Sequence, residues 1–110
     1  MGKGQNVAKG VEAAGGTAVV VPGMGADMRF GQVMDKEKAD MGISFCGSGG
    51  AGAITAHTQY GWPERHGMRS IQEGVTAIEE GTKVLGFGFM DQEALGKALV
   101  EAWNKKYPEA

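Results

Sequence analysis

The sequence predicts an α/β fold in which a parallel sheet is covered by helices. Short apolar runs alternate along the chain with longer amphipathic stretches, and glycines mark the ends of both. The 20 glycines have no collagen-like period, which suits tight turns between strands and helices. A chain of 110 residues has room for one hydrophobic core. We therefore expect a single domain over residues 1–110.

The first half of the chain alternates helix and strand. In order, the predicted elements are a helix over Gln5–Ala14, a strand over Thr17–Val21, a loop over Gly23–Asp27, a helix over Arg29–Lys38 and a strand over Met41–Cys46. The helices are predicted from apolar residues that recur on one stripe, and the first helix stops at Gly15-Gly16. The strands are predicted from short apolar runs, and the first run is β-branched and ends at Pro22-Gly23.

The second half continues the alternation. In order, it contains a helix over Gly50–His57, an irregular stretch over Thr58–Gly67, a strand over Met68–Gln72, a helix over Glu73–Glu80, a strand over Val84–Phe89 and a helix over Gln92–Lys106. The last helix is the best defined, because Asp91 is a suitable N-cap and Leu95, Leu99 and Trp103 lie on its apolar face. Alternating strands and helices predict a three-layer, Rossmann-like parallel sheet.

Composition limits the classes of partner and the compartment. The net charge of −2 and the lack of any long basic run argue against a nucleic-acid partner. A single cysteine excludes an intrachain disulfide and, with no signal-peptide pattern at the start, predicts a cytoplasmic location. No apolar stretch approaches the roughly 20 residues that span a bilayer, so we expect no membrane insertion.

The most informative segment is Gly42–Ala56, where Cys46 ends an apolar strand and a glycine-rich turn follows at once. Ligands of parallel α/β sheets bind beyond the carboxyl ends of the strands, and backbone amides at a helix start bind anions. The same amides lower the pKa of a thiol from its usual value of about 8.5. Cys46 is therefore the candidate catalytic residue, and the candidate ligand-binding residues are Gly47, Ser48, Gly49, Gly50, Ala51 and Gly52. A buried structural cysteine followed by a tight turn is the alternative.

Other candidate residues are less specific. Arg69 either meets a phosphate or is a solvated arginine at a strand end. The glycines of Gly86–Met90 either admit a ligand or relieve crowding against the sheet. His57 and His66 fit no common zinc spacing, so we expect surface or lid histidines and no metal. The glycine turn matches the dinucleotide fingerprint only loosely, and we expect no cofactor.

The motif Ser44-Phe45-Cys46-Gly47-Ser48 resembles the motif that names the glycine-rich SFCGS family of small bacterial proteins. The similarity extends over almost the whole chain and includes Gly23–Met28 and Val84–Met90.

A more distant resemblance implies a chemistry. Ala39–Gly49 is similar to the strand and cysteine loop of type-B ribose-phosphate isomerases and galactose-6-phosphate isomerases, as Gly67-Met68-Arg69 and Val84–Trp103 are to later parts of that fold. The resemblance implies that Cys46 moves a proton at C2 of a sugar while the amides of 47–52 hold the enediolate. It also implies a homo-oligomer. Those isomerases begin with a strand that ends in Asp-His-Ala-Gly, so we expect this sheet to lack the usual first strand.

A shorter resemblance supplies an alternative function. Cys46-Gly47-Ser48-Gly49 is similar to the phosphocysteine loop of galactitol-type sugar phosphotransferase IIB domains. The sequence therefore predicts a protein that binds a small phosphorylated ligand, a sugar or sugar acid, and acts as a proton-transfer isomerase. The alternatives are a phosphocysteine carrier and a non-catalytic, ligand-sensing subunit.

Overall fold

A computed structural model of the protein describes residues 4–20, 26–45, 51–88 and 92–108. Within these ranges the chain has a mixed α/β fold of five helices and three strands. In chain order the elements are α1 (Gln5–Ala13), α2 (Ala26–Glu37), β1 (Gly42–Phe45), α3 (Ala51–Tyr60), β2 (Glu64–Met68), α4 (Ile71–Glu79), β3 (Val84–Phe87) and α5 (Glu93–Lys106).

The three strands form one parallel sheet in the order β1-β3-β2. The last strand of the chain therefore lies at the centre, and its four residues are all buried. A parallel sheet with helical connections was the expected arrangement, and the described residues confirm it. The sequence of β3 fits this position, because an apolar run without charges suits a strand that is covered on both faces.

Two clusters of buried side chains lie on opposite faces of the sheet, as the alternation of side chains along β3 requires. The first core contains Leu85 and Phe87, and its other members come from β2 and the helices α1, α4 and α5: Met68, Val7, Val11, Ala77, Ile78, Leu95, Leu99 and Val100. The second core contains Val84, and its other members come from α2 and α3: Met34, Ala53 and Ala56. Helices therefore cover both faces of the described sheet.

Helices α1 and α5 approach each other at two glycines. A Cβ atom on Gly10 would overlap the carbonyl oxygen of Glu93, and one on Gly96 would overlap the carbonyl oxygen of Val7. Both positions are therefore restricted to glycine by close backbone contact. This approach allows Val7 and Val11 of α1 to reach the first core.

The prediction of a strand over Thr17–Val21 is wrong for the part that the structure describes. Residues 17–20 are in neither a strand nor a helix, and Val21 lies outside the described residues. Ala18 packs against the first core, whereas the side chain of Val19 is 56% exposed. A β-branched sequence favours a strand only where another strand pairs with it, and residues 17–20 have no such neighbour in the described sheet.

The third predicted strand is also misplaced. The strand lies over Glu64–Met68, within the stretch predicted to be irregular, and not over Met68–Gln72. β2 is a polar edge strand with a break in register between Arg65 and Met68, and Gly67 adopts a φ of 74° there. The bulge leaves the first part of β2 exposed and buries Met68.

Several boundaries differ from the prediction by a few residues. α2 begins at Ala26, inside the predicted loop, and α3 continues to Tyr60 instead of ending at His57. α5 has Gln92 as its N-cap residue, and the expected cap, Asp91, lies outside the described residues.

Candidate functional site

The register of the sheet brings the carboxyl ends of its three strands into line. Phe45 of β1 and Met68 of β2 both pair with Phe87 of β3. The next residues along the chain are Cys46, Arg69 and Gly88 respectively. β1, which leads into the cysteine loop, therefore ends level with β2 and β3, which lead to Arg69 and Gly88. We call this end of the sheet its carboxyl edge. This edge is where parallel α/β sheets bind ligands.

The cysteine loop itself is only partly within the described residues. Cys46, Gly47, Ser48, Gly49 and Gly50 lie outside them. Ala51 and Gly52 form the first turn of α3, which begins one residue later than predicted. The first turn of a helix carries backbone N–H groups that have no partner within the helix. Two of the predicted ligand-binding residues therefore belong to the start of a helix that follows the loop.

Arg69 lies at this edge, directly after β2, and not within a strand over Met68–Gln72 as the sequence predicts. The Gly88 N–H donates a hydrogen bond of 3.0 Å to the carbonyl of Met68, which fixes the ends of β2 and β3 side by side. A Cβ atom placed on Gly88 would lie 3.3 Å from Nη1 of Arg69, so the guanidinium group packs against the α-carbon of Gly88. The group that approaches Gly88 within the described residues is thus a side chain of the protein, Arg69.

Two hydrogen bonds at the start of α4 hold the backbone next to Arg69, and they resemble a capping box in which the carboxylate reaches one residue further back. Ser70 is the N-cap of α4, and its Oγ accepts a hydrogen bond of 3.2 Å from the Glu73 N–H. Glu73 Oε2 accepts one of 2.8 Å from the backbone N–H of Arg69. The spacing Ser-x-x-Glu was visible in the sequence, but it was missed because this stretch was assigned to a strand. Ser70, Glu73 and Gly88 are therefore additions to the predicted site.

The histidines lie elsewhere. His57 is in the last turn of α3, and its Nδ1 lies 2.7 Å from the carbonyl oxygen of Trp62, just before the start of β2. His66 Nδ1 lies 2.8 Å from Oε1 of Glu64. Neither contact involves the carboxyl ends of the strands. In the part of the chain that the structure describes, no three His, Cys, Asp or Glu side chains come together as a metal site would require.

Trp62 also lies away from the site. Its ring stacks on Tyr60 with the ring centres 4.6 Å apart, and Nζ of Lys83 lies 5.3 Å from its centre. It packs against the second core rather than over the carboxyl edge. Within the described ranges, no helix has the length and apolar character needed to cross a bilayer.

The fold and the site define a class of protein: a small α/β protein with a parallel sheet, in which a strand leads into a glycine-rich cysteine loop. The family model described as "Glycine-rich SFCGS" matches residues 1–106. The chain belongs to the glycine-rich SFCGS family. Neither the curated proteins nor the solved structures gave a match to this chain. No comparison supports the resemblance to the sugar-phosphate isomerases, which stays a prediction.

Proposed function

We propose that this protein binds a phosphorylated sugar or sugar acid at the carboxyl edge of its sheet. The observation that carries the proposal is the alignment of Phe45, Phe87 and Met68 across the three strands. Because of this alignment, the residues that follow the strands, Cys46 and Arg69 among them, leave the sheet at one edge. A nucleophilic side chain and a cation at one edge suit a ligand that has both a reactive carbon and an anionic group.

Arg69 supplies a positive charge at this edge, where the Glu73 carboxylate accepts the Arg69 backbone N–H and not a guanidinium N–H. Among the described residues, Arg65 forms an ion pair with Glu80 and His66 contacts the Glu64 carboxylate, and neither contact involves Arg69. The first turn of α3 follows the glycine-rich segment and carries N–H groups that have no partner within the helix. These groups are suited to hold negative charge.

The proposed reaction is an isomerisation by proton transfer. The Cys46 thiolate takes a proton from the carbon next to a carbonyl group, and the electron pair moves onto the carbonyl oxygen to give an enediolate. The amides of residues 47–52 hold that oxygen. The hydroxyl proton of the neighbouring oxygen then moves to it, and Cys46 returns its own proton to the former carbonyl carbon, so the neighbouring carbon becomes the new carbonyl. Substrate and product are isomers, so the reaction needs no oxidant, reductant or co-substrate.

The first test is a thermal-shift screen of the wild-type protein against sugar phosphates and sugar acids. A single-site ligand at 100 times its dissociation constant stabilises the folded state by about 2.7 kcal/mol. Turnover of each binding compound is then followed by NMR in D₂O, as formation of the isomer with deuterium at the former carbonyl carbon and, through the reverse reaction, as deuterium at C2 of the starting sugar. Cys46→Ala and Cys46→Ser are expected to bind the ligand and to lose the exchange.

Each outcome of this test is informative. Exchange at the wild-type rate in both Cys46 variants would contradict the catalytic role of the thiol. Binding without exchange in the wild type, unaffected by either variant, would identify the ligand-sensing alternative. Failure of every sugar phosphate and sugar acid to stabilise the protein would overturn the proposed function.

The second candidate function is phosphotransfer through a phosphocysteine. It is favoured by the order along the chain of a strand, the cysteine, a glycine-rich segment and a helix, β1 and α3 being the strand and the helix. In this case the Cys46 sulfur attacks the phosphorus of a phosphorylated donor protein, and the donor side chain leaves. Mass spectrometry after incubation with a phosphotransferase donor system would detect a phosphoryl group on Cys46.

The proposal extends to the architecture and the assembly. The parallel sheet with helices on both faces is consistent with a Rossmann-like fold that lacks its first strand.

β1 is an edge strand of the described sheet and has no charge or proline to prevent pairing, which favours a homo-oligomer. Light scattering would then give a multiple of the chain mass of 11.5 kDa, and a monomer would contradict it. The single cysteine suits the cytoplasm.

A further inference from the structure

We infer that Arg69 binds the phosphate group of the ligand and that Gly88 and Glu73 position its guanidinium for that purpose. The inference deepens the proposed function and rests on it for the identity of the ligand. The group that Arg69, at the carboxyl end of β2, recognises is then the phosphate of the ligand, and not a sugar hydroxyl or a lone carboxylate.

The first step is the orientation of the guanidinium. A Cβ on Gly88 would lie 3.3 Å from Nη1, 3.5 Å from Cζ and 3.7 Å from Nη2 of Arg69. These nearly equal distances mean that the planar group meets Gly88 with its face. Its N–H bonds lie in the plane of the group, so they point away from Gly88 and are not used in this contact. Gly88 therefore supports the guanidinium without occupying its donors.

The second step concerns the nearest carboxylate along the chain. Glu73 Oε2 accepts its hydrogen bond of 2.8 Å from the backbone N–H of Arg69, and no ion pair joins Glu73 to the guanidinium. The carboxylate thus fixes the main chain at residue 69 and leaves the side-chain charge available. Glu73 is a positioning residue in this arrangement.

The third step is a comparison with three cations of the described residues that have structural partners. Arg65 forms an ion pair of 3.3 Å with Glu80, and Lys83 and Lys106 donate to the carbonyl oxygens of Ala39 and Glu79. Each of these charges has a structural partner in its surroundings. Arg69 instead has a fixed backbone and a supported face, at the edge where ligands bind.

The chemistry of the guanidinium selects phosphate. Its fork of N–H donors matches two oxygens of a phosphate monoester, and the double negative charge of that group strengthens both hydrogen bonds. A carboxylate offers the same two oxygens with half the charge. An uncharged sugar hydroxyl offers no charge at all.

The experiment uses inorganic phosphate as the probe, with binding followed by calorimetry and by NMR of the arginine side chains. Arg69→Ala is expected to weaken phosphate binding by about 10- to 100-fold, the loss of a pair of charge-assisted hydrogen bonds. Arg65→Ala is the matched control, because it removes the same charge from the other end of the same strand. Its affinity is expected to stay within about twofold of the wild type. Equal losses in both variants, or no phosphate binding by the wild type, would overturn the inference.

The positioning roles are tested in the same assay. Glu73→Ala is expected to weaken phosphate binding several-fold, and Glu73→Gln to restore it, because the amide oxygen still accepts the Arg69 N–H. Gly88→Ala is expected to weaken binding by displacing the guanidinium, with an unchanged circular dichroism spectrum. Wild-type affinity in both Glu73→Ala and Gly88→Ala would refute positioning.

Failure of this inference is distinguishable from failure of the proposed function. If a sugar phosphate binds equally well to wild type and Arg69→Ala, the ligand class stands and the role of Arg69 is wrong. If inorganic phosphate binds at Arg69 but no sugar phosphate or sugar acid binds, the anion site stands and the proposed function is wrong.

Discussion

Gly10 and Gly96 determine how closely α1 can approach α5. Replacing glycine by alanine within an uncrowded helix stabilises a protein by about 1 kcal/mol. At these two positions the added methyl group would overlap a carbonyl oxygen of the facing helix. We therefore expect Gly10→Ala and Gly96→Ala each to lower the free energy of unfolding by about 1 to 3 kcal/mol, measured by urea denaturation.

The test is whether these substitutions lower or raise the free energy of unfolding. Lys9→Ala is the control on α1, because Lys9 is exposed and its neighbour Gly10 is buried. Its unfolding free energy should stay within about 0.5 kcal/mol of the wild type. If Gly10→Ala were as stable as Lys9→Ala, the close approach of the two helices would be incorrect.

Among single residues of the candidate site, some were candidates from the sequence and others were not. Arg69 was a candidate phosphate contact because of its guanidinium, and a solvated arginine at a strand end was the alternative. The role of Gly88 stayed open, because a glycine in a sequence does not reveal which group approaches it. Glu73 was overlooked, because its role depends on Ser70 starting a helix and not continuing a strand.

Among the elements, those with strong apolar character were predicted best. β1, β3 and α5 lie within two residues of their predicted bounds, because burial on both faces or on one stripe leaves a clear pattern. β2 was misplaced because an edge strand can be polar, and Gly67 interrupts its periodicity. The strand over Thr17–Val21 was predicted from propensity alone, and propensity does not supply a neighbouring strand.

Helix α4 gives a prediction at this scale. The Ser70 hydroxyl accepts the Glu73 N–H and caps the helix, so Ser70→Ala should lower the free energy of unfolding by about 1 kcal/mol. Thr58→Ala is the matched control, because its hydroxyl donates to a carbonyl within helix α3 and caps nothing. Equal stability of the two variants in urea denaturation would contradict the capping role.

For the whole molecule, the two tryptophans report on opposite faces of the sheet. Trp103 packs against the first core and Trp62 against the second. Val84 and Leu85 of β3 belong to different cores, so the two helical layers share one strand. We therefore expect the layers to unfold together.

This expectation is checked with Trp62→Phe and Trp103→Phe, each of which leaves a single fluorescent reporter. In each variant the urea midpoint from fluorescence should equal the midpoint from far-ultraviolet circular dichroism. A fluorescence transition that precedes the loss of helix in one variant would show that its layer unfolds separately.

The position of β3 has a consequence for biosynthesis. β1 and β2 pair with β3 and not with each other, and β3 ends at residue 87 of 110. On a translating ribosome, β1 and β2 therefore lack their hydrogen-bonding neighbour until β3 has emerged. During that interval the apolar strand β1 and the polar strand β2 are both exposed to other chains without a strand partner. Chaperone dependence during expression should accordingly fall only once the codons for Val84–Phe87 have been translated.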